Sequence, residues 1–220
     1  MDVYHVLNRG VEKRDIVQND DDRMRFVRSL YIFNDIKNAP NSVSQPNQWN
    51  YDNKRTCLVH IHAWCLMNNH YHLLISPLDD DTQNISRFMK KLNMGYAKFF
   101  NEKYSRSGYL WQGKYKKILV DKDNYFDYIP YYIHLNPLDF TYKEWREGGV
   151  IDTQDTYTVL ENYRWSSYLD YNNKKNFPSL IFKNLLQDIL GDSTNQRKMI
   201  NTVISRGEQS HQTISKLIET

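Results

Sequence analysis

An α+β fold is predicted by three observations: an antiparallel sheet of ferredoxin-like type with helices, followed by a helical C-terminal extension. First, apolar runs of strand length and amphipathic stretches of helical period alternate as strand, helix, strand, strand, helix, strand, helix. Second, two strand-like runs, 57–67 and 70–76, are separated only by Asn68-Asn69, a tight turn that forces antiparallel pairing. Third, the chain beyond residue 155 has helical patterns and no further strand signal. At 220 residues it is long enough for a sizeable core. The expected division is one domain over residues 1–140 and an extension over 141–220.

Each element has a local reason. Tyr4-His5-Val6-Leu7-Asn8 reads as the first strand, ended by Arg9-Gly10. Asp20, Asp21 and Asp22 suit the positive end of a helix dipole, and apolar residues from Met24 to Phe33 carry that helix to about Asn38. Residues 39–53, rich in Asn, Pro, Ser and Gln, read as a loop. A long helix runs from the acids at 79–81 to about Tyr104, and residues 114–120 form a strand. Asp121 is placed to cap the next helix, which Pro137 stops at Asn136. Short helical stretches follow at 178–190, 194–205 and 208–219.

Composition bounds the function. With 40% hydrophobic and 25% charged residues and a mean hydropathy of −0.75, the chain is globular. No apolar run approaches the roughly 18 residues of a spanning helix, and the N-terminus lacks a basic-then-apolar signal, so no membrane association and a cytoplasmic location are expected. Cys57 and Cys65, on one strand, would stand about 26 Å apart and cannot bridge. They read as small apolar residues of a reduced compartment. The net charge of +3 is modest, but residues 85–122 hold ten Lys and Arg against two acids, with aromatics interleaved. Cations follow phosphates and aromatics stack on unpaired bases, so Lys90, Lys91, Lys114, Lys116 and Lys117 are candidate DNA contacts. The alternative is an ordinary solvated helix face.

The chemistry concentrates at Asn69-His70-Tyr71-His72-Leu73-Leu74-Ile75. Residues two apart on a strand share a face, so His70 and His72 project side by side, as two ligands of one metal would. A two-residue turn pairs Met67 with His70, Cys65 with His72 and Ala63 with Leu74. That register puts the second pair, His60 and His62, on the opposite face. On the last helix of the order, Tyr128, Tyr132 and Asn136 lie along one face, with Tyr131 about 100° away. Two imidazoles and the Asn136 amide oxygen leave coordination positions open and suit Mg²⁺ or Mn²⁺, with Tyr132 close by. The competing explanations are strand histidines hydrogen-bonded at a surface and a tyrosine-rich helix packed on the sheet.

Five ordered motifs carry a family resemblance: Tyr4-His5-Val6 with Asn8-Arg9-Gly10, Met67-Asn68-Asn69-His70-Tyr71-His72, Trp111-Gln112-Gly113-Lys114-Tyr115, Tyr132-Ile133-His134-Leu135-Asn136-Pro137, and Trp165-Ser166-Ser167-Tyr168. Over about residues 3–171 the chain resembles the single-tyrosine HUH transposases of bacterial insertion sequences, and within them the REP-associated tyrosine transposases. The resemblance implies an HUH endonuclease domain acting with Mg²⁺ or Mn²⁺ on single-stranded DNA near hairpins. The histidine pair maps onto His70 and His72, the nucleophile onto Tyr132 and the third ligand onto Asn136, giving a 5′-phosphotyrosine intermediate. The chain departs from the pattern at Asn68, where Pro is frequent. It also carries Pro130, which either kinks the catalytic helix or begins it.

The rivals are a domesticated DNA-binding or DNA-processing protein of the same fold, a non-catalytic RNA-binding module with exposed aromatics on a ferredoxin-like sheet, and a metal-dependent hydrolase without a covalent intermediate. The helical C-terminal part favours a monomer over a dimer.

Overall fold

The computed structural model describes residues 1–37, 55–120, 126–142, 145–147, 153–192 and 194–205. The expected loop at 39–53, the cap at Asp121 and the helix at 208–219 lie outside them. Four strands form one sheet: β1 (Tyr4–Arg9), β2 (Val59–Leu66), β3 (His70–Pro77) and β4 (Lys116–Leu119). Their order is β2-β3-β1-β4, with every neighbouring pair antiparallel. Helix α1 (Asp20–Ile32) joins β1 to β2, and α2 (Gln83–Lys103) joins β3 to β4. This βαββαβ order is that of the ferredoxin-like sheet.

The strand pleat sorts side chains into two cores. Val6, Trp64, Leu66, Tyr71, Leu73 and Ile75 meet α1 and α2. Leu7, Ala63, Cys65 and Leu74 face the other way, toward α3 (Ile129–Leu135) and the helices after it. Helix α2 buries Ile85, Phe88, Met89, Leu92, Tyr96 and Phe100, the three-to-four spacing of one helical stripe. Burying side chains of this size stabilises the fold by roughly 1.5–3 kcal/mol each.

Local chemistry sets the ends. Asn19 caps α1, its side chain accepting from the Asp22 amide at 3.1 Å. The helix stops at Ile32, six residues short of the expected Asn38. Just beyond it, Asn34 accepts from the amides of Leu58 and Val59, both at 2.9 Å, and donates to the Val59 carbonyl at 2.8 Å. That clamp starts β2 and requires the chain to leave the helix. The hairpin closes as expected, with the Met67 amide donating to the His70 carbonyl at 2.8 Å, Cys65 opposite His72 and Ala63 opposite Leu74.

Further from the turn the register shifts. A bulge between Ile61 and Ala63 makes His62 an extra residue and pairs His60 with Ser76. His60 therefore stands on the His72 side of the sheet, not the opposite one. The four histidines still form two groups. His62 bonds Ser76 Oγ at 2.8 Å and the Phe182 carbonyl at 3.2 Å, and His60 stacks on Phe182 at 4.0 Å.

Helix α3 begins at Ile129 with Pro130 in its first turn, where a missing N–H does no harm. Pro137 lies in a 3-10 turn spanning Asn136–Phe140. Beyond it come α4 (Thr153–Asn162), α5 (Tyr168–Tyr171), α6 (Asn184–Leu190) and a helix at 194–205. Their Leu160, Leu186, Leu190 and Val203 pack into the core around Tyr131, Ile133 and Leu135, while Trp165 and Phe177 join the other core. Just before α5, the Leu66 amide donates to the Trp165 carbonyl and the Ser167 amide to the Trp64 carbonyl, both at 2.9 Å. The Trp-Ser-Ser-Tyr motif thus covers the outer edge of β2.

Candidate active site

His70 and His72 leave β3 on the α3 side, and their ring centroids lie 5.0 Å apart with the planes nearly perpendicular. On β1, Arg9 is opposite His70 and Leu7 opposite His72. His5 shares the side of Leu7 and meets His72, Nε2 to Nδ1, at 2.9 Å. His70 Nδ1 donates to Asn69 Oδ1 at 2.6 Å, which fixes its proton there and leaves Nε2 as the lone-pair nitrogen. For His72 to offer Nε2 likewise, its Nδ1–H must donate to His5 Nε2, and His5 becomes the group that sets the tautomer. Burial pushes His70 down to about 4, His5 to about 3 and His72 well below its ordinary value. All three are therefore neutral near pH 7, the form in which imidazole binds metals.

Tyr132 is 5% exposed, and its ring stands edge-on to His72 at 5.6 Å and to His5 at 6.1 Å. Tyr131, about 100° round the helix, donates to the Ile189 carbonyl at 3.4 Å and packs toward α6. Tyr128 immediately precedes the helix, its ring 6.3 Å from that of Tyr132. Asn136 is fully buried; Nδ2 donates to the Tyr132 carbonyl at 2.8 Å, and Oδ1 accepts from Arg146 at 3.1 Å. His70, His72, Tyr132 and Asn136 thus come together between β3 and α3.

Two neighbours were not foreseen as site residues. His5 sits in the Tyr4-His5-Val6 motif, but nothing local shows that it touches His72. Arg146 donates to Asn136 Oδ1 at 3.1 Å and to Asp139, and its guanidinium lies 5.0 Å from the Tyr132 ring centroid. Its sequence surroundings carry no motif, since its partners meet it only in three dimensions.

Among the described residues no three His, Cys, Asp or Glu side chains form a group that could hold a metal ion. The set here is two neutral imidazoles and a carboxamide oxygen, donors that fit Mg²⁺ or Mn²⁺ with open positions left for phosphate oxygens.

The five candidate lysines do not form one surface. Lys91 donates to the carbonyls of Asp35, Ile36 and Lys37 just beyond the end of α1, and Lys90 is exposed on α2, both across the sheet from the histidines. Lys117 lies 4.8 Å from the Tyr4 ring centroid, on that same side. Lys114 and Lys116 instead line a cleft of about 430 Å³ with Asn8, Arg9, Lys13 and Gly113. The cleft adjoins the histidines through the Arg9–His70 and Leu7–His72 pairs. His134 is structural, bonding Ser167 Oγ at 2.8 Å. An RNA-binding platform would need exposed aromatics on the central strands, but Tyr4 and Tyr71 are 8% and 0% exposed. No helix among the described residues is long and apolar enough to cross a membrane.

Sheet order, paired strand imidazoles and a tyrosine-bearing helix define an α+β protein with a polar site between β3 and α3. The family model described as IS200-like transposase matches residues 27–136, half of the chain. The chain belongs to the IS200-like transposase family, and with it to the DNA-processing transposases. It matches none of the curated proteins. A solved structure described as the REP-associated tyrosine transposase bound to a REP hairpin is similar at 12% identity, with 77% of each chain covered and a TM-score of 0.43.

Proposed function

We propose that the chain is a metal-dependent endonuclease and strand transferase for single-stranded DNA, acting near hairpins through Tyr132, and that it belongs with the REP-associated branch whose motifs it resembles. The observation that carries the reading is the seating of Tyr132 edge-on to His72, one helical turn from Asn136, whose Nδ2 donates to the Tyr132 carbonyl. His70, His72 and Asn136 would hold Mg²⁺ or Mn²⁺, which supplies polarisation of the scissile phosphate. Tyr132 Oη attacks phosphorus; the new Tyr–O–P bond forms as the bond to the 3′-oxygen breaks. The phenolic proton passes to water, and the leaving 3′-oxygen takes a proton from water. The 5′-phosphotyrosine conserves the phosphodiester, so a second 3′-hydroxyl can be joined and Tyr132 regenerated. His5 holds the His72 ring and its tautomer. The cleft beside Arg9, Lys114 and Lys116 takes the flanking phosphates.

The test is a hairpin-bearing strand incubated with protein and Mn²⁺ and resolved on a denaturing gel. Wild type gives a covalent adduct, and Tyr132→Phe gives none while still binding DNA. Undiminished adduct in Tyr132→Phe would move the role to another tyrosine.

A further inference from the structure

Resting on that reading, we propose that Arg146, braced by Asp139, is a second cationic centre of the site: it positions Tyr132 and Asn136 and binds a non-bridging oxygen of the phosphate during transfer. Arg146 lies ten residues beyond Asn136 yet returns to it. Nε and Nη2 donate to the two Asp139 oxygens at 3.1 and 2.7 Å, a two-point grip that fixes the plane of the guanidinium. Asp139 is itself held, accepting from Trp145 Nε1 at 2.5 Å. From that plane Nη2 reaches Asn136 Oδ1 at 3.1 Å, and the guanidinium lies 5.0 Å from the Tyr132 ring centroid. The guanidinium also lies 4.6 Å from the Trp145 ring centroid, which supports it from its own turn.

Charge is the reason to assign more than packing. The proposed ligands are two neutral imidazoles and a neutral amide, so the protein places no charge of its own on the phosphate through them. Arg146 supplies one beside Tyr132. A planar fork of five donors can satisfy Asp139 and Asn136 and still present N–H groups to the tyrosine oxygen and an arriving phosphate oxygen; a lysine ammonium cannot hold that set at once. The side chain is 28% exposed, so it remains open to substrate. The same hydrogen bond turns the Asn136 carboxamide: Oδ1 is held toward Arg146 and Nδ2 toward the Tyr132 carbonyl, and one contact orients both nucleophile and ligand.

The experiment follows the rate of adduct formation on the hairpin strand for wild type, Arg146→Ala, Arg146→Lys and Asp139→Asn. Hairpin affinity, Mn²⁺ affinity by electron paramagnetic resonance and thermal stability are measured in parallel. Removing an anion-stabilising donor should slow Arg146→Ala by about 100-fold, with hairpin affinity retained, and methylguanidinium in the buffer should restore about tenfold of that loss. Arg146→Lys and Asp139→Asn should fall between, because charge without the fork, or the fork without its brace, keeps part of the function. A wild-type rate in Arg146→Ala overturns the proposal. So does a rate loss that methylguanidinium does not touch and that tracks lost stability or lost Mn²⁺ binding, since that is a structural tie. Absence of adduct in the wild type overturns the transferase reading itself, and is thereby distinct from failure of this inference.

Discussion

The two faces of the sheet are built from the same strands and differ in what they bury beside their apolar cores. Toward α1 and α2 the pleat presents Val6, Trp64, Tyr71, Leu73 and Ile75 to Phe26, Phe88 and Tyr96, an aromatic and aliphatic core in which Tyr96 Oη donates to the Ile16 carbonyl at 2.7 Å and the buried Trp64 Nε1 has no partner among the described residues. Toward α3 it buries His5, His72, His134, Asn136, Ser166 and Ser167. Buried polar groups stabilise little even when paired and destabilise when not. Both faces bury an apolar core and so supply folding energy, and the α3 side in addition holds this polar set in an organised state. The tripeptide His70-Tyr71-His72 straddles the division, because its middle residue points away from its neighbours.

That tripeptide gives the sharpest way to break the comparison. Tyr71 packs on Phe26 and Trp111, with ring centroids 5.0 and 5.5 Å away, and donates to Asn93 Oδ1 at 2.7 Å. Tyr71→Ala should cost about 3–5 kcal/mol of stability. His70→Ala, one residue earlier, should change stability by no more than about 1 kcal/mol while abolishing Mn²⁺ binding and adduct formation. Urea unfolding of both variants, beside the gel assay, reads the contrast. If the two lose stability alike, the faces are not divided in this way.

Much of this division was legible in the sequence. Period-two spacing put His70 and His72 together, the Asn68-Asn69 turn gave the register through Ala63 and Leu74, and the strand–helix order gave the sheet. What escaped depends on contacts between residues distant in the chain. The bulge at His62 carries His60 to the other side, and no alternation pattern marks it. Asn34 ends α1 early because it is needed by Leu58 and Val59. His5 and Arg146 join the site from 67 residues before His72 and ten beyond Asn136, with no local period to announce them. The lysines misled for a related reason: a cluster in sequence wound round α2 and β4 becomes several surfaces in space.

A comparable effect should come from acid. Burial pushes His62 down to about 4 and His134 to about 3. Unfolding returns each to about 6.5, so the unfolded chain binds more protons in between. The stability that neutral burial allows is complete above about pH 6.5 and is lost as pH falls from there toward 4, by up to about 1.4 kcal/mol per pH unit for each histidine. Urea midpoints at pH 7.5, 6.0 and 5.0 should therefore decline in that order. A flat or rising series would mean that these imidazoles are charged or solvated in the folded protein, and that the α3 side is less well sealed than its geometry implies.

The smallest effects should separate two lysines that sequence alone placed together. Lys114 lines the cleft beside Arg9, one strand from His70. Lys91 lies across the sheet and donates to the Asp35 and Lys37 carbonyls at 2.6 and 2.7 Å. A lysine on a DNA phosphate displaces about one condensed counterion, so Lys114→Ala should lower the slope of log affinity against log salt by about 1. Lys91→Ala should leave that slope unchanged. It removes a donor from carbonyls just beyond the end of α1 and should instead lower stability by about 1 kcal/mol. Binding of a hairpin-bearing strand across a salt series, with unfolding measured on the same preparations, distinguishes them. An equal loss of slope in both variants would mean that DNA wraps onto the α1–α2 side as well, and the face assigned here to stability alone would share in binding.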